Sequence, residues 1–320
     1  RVLAEPVVAT RSQPPYSTST MDGYAIAAET AAAGDTFEVI GEAAAGHRFP
    51  GCLNADQAVR IFTGAPAPDG TKRVLIQEDV AQVGDSITVR YQPDSSFYIR
   101  TEGADFNVGD TLESPRILSP SDVALIASMN VAGVTVFRKP VVALIATGDE
   151  LVLPGETPGP DQIIASNALG LSAMVESAGG IARILPIARD RIDALQGVFD
   201  LAADADLVVT IGGASVGDHD LVGQVAEMRG FERSFYKIAM RPGKPLMAGR
   251  IGASILLGLP GNPVSSIVCW RIFMQPMLDV MRGLPASAPA TRTAELANDI
   301  PPNGAREHYM RARDTAGQVT

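Results

Sequence analysis

The sequence predicts a multidomain α/β protein, with a three-layer α/β/α domain, a β-rich module before it and a small α+β linker domain. Three observations carry this. Residues 140–283 alternate short apolar, β-branched runs with helical patterns, which implies a parallel sheet covered on both faces. Residues 36–100 hold short strands cut by turns at Gly46, Pro50-Gly51, Pro66, Asp69-Gly70 and Gly84-Asp85. Within the α/β segment, Leu207–Ile211 runs into a glycine-rich stretch before a helix starts at Leu221, a strand–turn–helix that suits an anionic ligand.

Composition narrows the classes. At 320 residues the length suggests about two domains. A hydrophobic fraction of 46% supports full cores, and 19% charged is low for a disordered chain. The net charge of −10 argues against a non-specific nucleic-acid binder. Cys52 and Cys269 are far apart, and His47, His219 and His308 form no local cluster, so a reduced compartment and no structural zinc are expected. No apolar run reaches membrane-spanning length, and Arg1 opens the chain without a signal-peptide pattern.

Taken in order, residues 1–20 are rich in Pro, Ser and Thr and read as extended chain. Asp22-Gly23 in Met21–Ala25 reads as a tight turn, and turn chemistry alone accounts for Asp22. Thr63-Gly64 closes a strand, and composition shifts around Asp105. Ser119-Pro120 opens a helix with Val123, Ile126 and Met129 on one face. A strand VVALIA leads to Thr147-Gly148-Asp149-Glu150, a helix runs from about Asn167 to Gly179-Gly180, and IARILPI is a strand. Asp190 opens a helix with Ile192, Leu195 and Phe199 inward, as an N-cap and a possible ligand at once. A strand from Ser254 enters Gly258–Ser265 and a long helix to about Met281. Residues 284–320 read as the start of a further β domain that the chain does not complete.

Three loops at strand ends, 147–150, 212–220 and 258–265, converge on one pocket if adjacent strands supply them. Asp22, Asp105, Asp149, Glu150, Asp190, Asp218 and Asp220 all sit at turns or helix starts; capping explains each singly, whereas a cluster of such oxygen ligands around a phosphate would bind Mg²⁺. Lys237, Arg241 and Lys244 fall in KIAMRPGKP, where Pro242 and Pro245 prevent a helix; this is either a solvated basic loop or an anion site. Gly213, Ser215 and Gly217 also match the nucleophile-elbow spacing G-x-S-x-G. That rival hydrolase is poorly supported, because only His219 and His308 follow and no oxyanion loop is present.

MDGYA at 21–25, FTGAPAP at 62–68, TGDEL at 147–151, GGASVGDHD at 212–220, KIAMRPGKP at 237–245 and LPGNPVS at 259–265 together resemble the molybdopterin molybdenumtransferase family, MoeA-like proteins similar to the E domains of plant Cnx1 and gephyrin. The resemblance implies a cytoplasmic homodimer of four-part subunits. Residues 1–10 with 106–139 would form a discontinuous linker and dimerisation domain, 11–105 the β-rich domain, 140–285 the molybdopterin-binding domain and 286–320 an incomplete C-terminal β domain. It further implies insertion of molybdate into adenylylated molybdopterin with release of AMP, dependent on Mg²⁺, with the molybdopterin adenylyltransferase as a candidate partner and neither nucleic acid nor membrane involved.

Carried over by motif, Asp22, Thr63, Asp105, Glu150, Asp190 and Asp220 would line the pocket, with Glu150, Asp190 and Asp220 at the metal. Gly212, Gly213 and Ser215 would cradle phosphate or pterin. Arg241, Lys244 and Ser265 would hold the oxyanion with Lys237 in support, and Pro260 and Pro263 would shape the last loop. The chain departs from the family pattern at Ser19-Thr20, Ala104 and Arg241. A gephyrin-like scaffold that binds a receptor peptide is the alternative class, and the retained site residues favour the enzyme.

Overall fold

The computed structural model describes residues 1–213, 221–315 and 317–319. It resolves into two compact units, residues 5–135 and residues 1–4 with 136–320. Ser215 and Asp220, and with them most of the middle loop, lie outside the described residues.

In the unit of residues 5–135, β1 (Gly23–Ile26), β2 (Thr36–Ala43), β3 (Gln57–Ile61), β4 (Arg73–Ile76), β5 (Val80–Val83) and β6 (Ser86–Val89) form one sheet in the order β4-β1-β3-β2-β6-β5. Only β2 and β3 pair in parallel. The alternation of β residues sends Tyr24, Ile26, Phe37, Leu75 and Ile87 to one buried cluster and Ala25, Val59, Ile61 and Val74 to another. Here one expectation fails. Gly23 starts a strand rather than a hairpin turn, because Tyr24, Ala25 and Ile26 are all buried and tertiary packing overrides the Asp-Gly signal. Gly23 is needed for a different reason: a Cβ there would overlap the Leu75 carbonyl of the neighbouring β4.

Helix α1 (Pro120–Ser128) begins as the sequence suggests, with Pro at its first position. Ser119 Oγ accepts from the Asp122 N–H at 3.1 Å, while Asp122 Oδ2 accepts from the Ser119 N–H at 2.8 Å, a reciprocal cap. Ile126 and Met129 are buried, but Val123 is exposed, so the apolar face is narrower than expected. The Ser119 hydrogen bonds, and then Arg116, hold the Asp122 carboxyl down at about 2. A depressed carboxylate stabilises the fold above its unfolded pKa, and that contribution fades as pH falls from about 4 towards 2. Ser119→Ala is therefore expected to cost about 1 kcal/mol at pH 7, and Asp122→Asn to flatten the acid limb of a stability–pH curve measured by urea unfolding.

In the other unit, β7 (Val141–Ala146), α2 (Asn167–Ser177), β8 (Ile181–Ile184), α3 (Ile192–Leu201), β9 (Leu207–Ile211), α4 (Leu221–Met228), β10 (Glu232–Tyr236), β11 (Met247–Ile251), β12 (Ser254–Leu259) and α5 (Pro263–Cys269) follow in turn. The sheet order is β8-β7-β9-β12-β11-β10. The first four strands are parallel, and β11 and β10 are antiparallel additions at one edge. Val142, Leu144, Val209 and Leu257 pack under α2 and the α5 segment, whereas Ala143, Ile145, Val208 and Leu256 pack under α3 and α4. That is the expected α/β/α sandwich. Each fully buried Leu or Ile contributes roughly 2 kcal/mol by leaving water.

Two local expectations are corrected. Asp190 does not cap α3: Arg191 occupies that place without a side-chain cap bond, and Ile192 is exposed while Leu195 and Phe199 are buried. The long helix to Met281 is broken by a wide π turn over Trp270–Met274 before a last helix, Gln275–Met281. Pro276 has no N–H to give the Ile272 carbonyl, so the i→i−4 ladder cannot run through. In the tail, Glu307–His308 pairs in parallel with Met240–Arg241. Among the described residues, no helix is long and apolar enough to cross a membrane.

Candidate functional site

Parallel strands put the carboxyl ends of β7, β8, β9 and β12 on one edge of the sheet. From β7 the chain moves outward through α2 to β8, then returns through α3 past β7 to β9. The direction of winding thus reverses between β7 and β9, where an open α/β sheet leaves a crevice. A cleft of about 380 Å³ opens there. The loops after β7, β8, β9 and β12 all reach it, through Glu150, Asp190, Gly212-Gly213 and Gly261.

One end of the cleft is acidic. Glu150 and Asp190 both line it, and Asp149 stands behind, its Oδ1 accepting from the Asp190 N–H at 3.2 Å. Asp190 lines the cleft as an exposed residue whose carboxyl is partly shielded from water. Burial first, then the charges of Asp149 and Glu150, hold its carboxyl above the ordinary carboxylate range. The loop carrying Glu150 is fixed by backbone bonds: Gly148 N–H to Ala188 O at 3.1 Å and Ile163 N–H to Glu150 O at 2.8 Å. Like charges crowded in this way suit a divalent cation. Among the described residues, however, no three Asp, Glu, His or Cys side chains form a set able to hold one. Glu150 and Asp190 supply two oxygen donors, and Asp220 lies outside the described residues.

The remaining walls are neutral or apolar. Ile163 and Ile164 are 58% and 37% exposed, and both line the cleft. Asn167 donates from Nδ2 to the Gly261 carbonyl at 2.7 Å and ties the start of α2 to the loop after β12. Thr147 is buried, and its Oγ1 has no hydrogen-bond partner among the described residues. Gly212 and Gly213 have φ of 92° and 66°, a left-handed run that only glycine adopts freely.

Asn262 accepts from the N–H groups of Val264 and Ser265 at 3.0 and 3.2 Å, and Pro263 starts α5. Ser265 and Pro260 are buried and are not among the cleft's lining residues, whereas Pro263 lines the cleft. Lys237, Arg241 and Lys244 are exposed on the loop between β10 and β11, outside the cleft's lining residues. Lys237 has φ of 64° and holds its Nζ over the Tyr236 ring, 4.9 Å from the centroid.

Within the unit of residues 5–135, Asp22 and Thr63 meet. Asp22 Oδ1 accepts from the Thr63 N–H at 2.7 Å and from its hydroxyl at 2.8 Å, and these bonds hold the Asp22 carboxyl below its ordinary range. Asp105 pairs with Arg100. The sequence motifs include Thr147 only as part of the 147–150 loop and Asn167 only as a helix start, and Arg189 stands outside them.

Two family models match the chain: the MoeA N-terminal region (domain I and II) over residues 1–130, and a probable molybdopterin binding domain over residues 143–280. A molybdopterin molybdenumtransferase of Nostoc sp. is 34% identical, covering 97% of this chain and 74% of its own length. Molybdopterin molybdenumtransferase 2 of Mycobacterium tuberculosis is also 34% identical, covering 97% and 80%. Among solved structures, a molybdopterin biosynthesis MoeA protein from Pyrococcus horikoshii superposes with a TM-score of 0.85 at 29% identity, covering 100% of this chain and 81% of that one.

Proposed function

The chain belongs to the molybdopterin molybdenumtransferase family, and on that premise we propose that it inserts molybdenum from molybdate into adenylylated molybdopterin and releases AMP, in a reaction that needs Mg²⁺. The observation that supports this best is the cleft at the winding reversal, where Glu150 and Asp190 crowd one end and apolar Ile163 and Ile164 form another wall.

In this reading the flat pterin lies against the isoleucines, and the Gly212-Gly213 backbone, with Ser215, approaches its phosphate. Glu150, Asp190 and Asp220 hold the cation. When bound, Mg²⁺ offsets the repulsion between phosphate and oxyanion charges. Arg241 and Lys244, supported by Lys237, gather molybdate on their loop, because charge-assisted hydrogen bonds to an oxyanion are stronger than neutral ones. Ser265 joins them, and Pro260 and Pro263 keep the last loop in shape. The work of the chain is thus placement and charge compensation, with no covalent nucleophile. Asp22, Thr63 and Asp105 are proposed to take part in turnover, and the four-part domain division, the homodimer, a cytoplasmic location and an encounter with the adenylyltransferase belong to the same reading.

The test is to incubate the protein with adenylylated molybdopterin, molybdate and Mg²⁺, then to assay AMP and to activate a cofactor-free molybdoenzyme. AMP release with formation of active cofactor is expected. Neither product, with the adenylylated substrate intact, would refute the proposal.

A further inference from the structure

Arg189 spends its charge in an unusual way. Its Nη1 donates to the carbonyls of Asp149 and Leu151 at 2.9 and 3.0 Å and reaches the Gly148 carbonyl at 3.4 Å. All three acceptors belong to the loop after β7, and Glu150 sits among them. The residue next to Arg189 is Asp190, whose own N–H is bonded to Asp149. A single dipeptide after β8 therefore grips the loop after β7 from one side and presents the second carboxylate from the other. All three acceptors face the one Nη1, so the grip depends on how far the guanidinium reaches from Cα.

We propose that Arg189 is a positioning residue that sets the separation of Glu150 and Asp190 by clamping backbone carbonyls, and leaves both carboxylates uncompensated for a divalent cation. The inference rests on the cation in the proposed function. Arg189 satisfies peptide oxygens, so its charge is not committed to an ion pair with either acid.

The sign of one substitution separates this from a bland electrostatic role. A positive charge near a cation site repels the cation, so if Arg189 acted only through its charge, Arg189→Gln would tighten cation binding. Clamping predicts the reverse, because groups that orient metal ligands typically cost about 10- to 100-fold in metal affinity when removed. Mn²⁺ binding to the intact chain, followed by electron paramagnetic resonance, reads this directly. Arg189→Gln should weaken Mn²⁺ by at least about 10-fold, with molybdopterin affinity within about threefold of wild type. Arg189→Lys keeps the charge, but its ammonium ends one bond short of the Nη1 position that meets the three carbonyls, so it should also weaken Mn²⁺.

Unchanged or tighter Mn²⁺ binding in Arg189→Gln overturns the inference, as does a wild-type chain that binds no Mn²⁺. If Arg189→Gln fails to fold, Arg189→Lys carries the decision: wild-type Mn²⁺ affinity in that variant refutes clamping. Failure of the molybdenum-insertion assay alongside Arg189-dependent Mn²⁺ binding would instead remove the proposed reaction and leave the clamp standing.

Discussion

Glu150→Gln and Asp190→Asn should each lower molybdenum insertion by about 100-fold or more, the usual loss when a preorganised charge-stabilising group is removed from a site. Both side chains line the cleft, and neither closes a cap nor fills a core. Folding should therefore survive. Asp190 also bears on stability, because its folded carboxyl is held above its unfolded value. Such a group favours the folded state while protonated and loses that contribution as pH rises through the folded pKa. A charge on Asp190 is opposed by burial and by Asp149 and Glu150, so Asp190→Asn should melt at the same temperature as wild type or higher. Loss of turnover with undiminished stability is the pattern expected of a site maintained for function. A variant with full turnover, or one that simply unfolds, would contradict this role.

Gly213→Ala should damage both the fold and the cleft. Gly213 has φ of 66°, where an L-residue with a Cβ is strained by about 1–2 kcal/mol. A Cβ there would also stand 2.6 Å from Thr147 Oγ1 and 2.6 Å from Val222 Cγ2, so the methyl group drives into α4 and the end of β7 together. Neither neighbour moves freely, since Val222 and Thr147 are both buried. A total loss of about 3 kcal/mol is expected from strain plus overpacking, read by urea unfolding, with molybdopterin binding lost in the fraction that folds. Retained stability and retained binding would show that this turn does not approach the ligand closely.

Much of this architecture is legible in the residues because local pattern and tertiary demand agree. Val141–Ala146, Leu207–Ile211 and Ser254–Leu259 are continuous apolar runs, as strands buried on both faces must be, and loops at their carboxyl ends share one edge by topology alone. Glu150 and Asp190 are polar residues just beyond such ends, so their meeting is foreseeable. Other features are not. Asp22-Gly23 carries a hairpin signal, but burial of Tyr24–Ile26 in a sheet makes it a strand start. Arg189 and Asn167 act on carbonyls 38 or more positions away, contacts that no local spacing announces. Thr147 is distinctive only because its hydroxyl is buried without a partner among the described residues, which composition cannot show.

The proposed reaction requires the crevice between β7 and β9 to take a cation and the pterin together. The most direct measurement is an anomalous-scattering map from a crystal of the protein soaked with Mn²⁺ and molybdopterin. A manganese peak held by Glu150 and Asp190, with ligand density against Ile163 and Ile164, is the predicted result. Manganese and pterin both bound elsewhere, with this cleft filled by water alone, would contradict it.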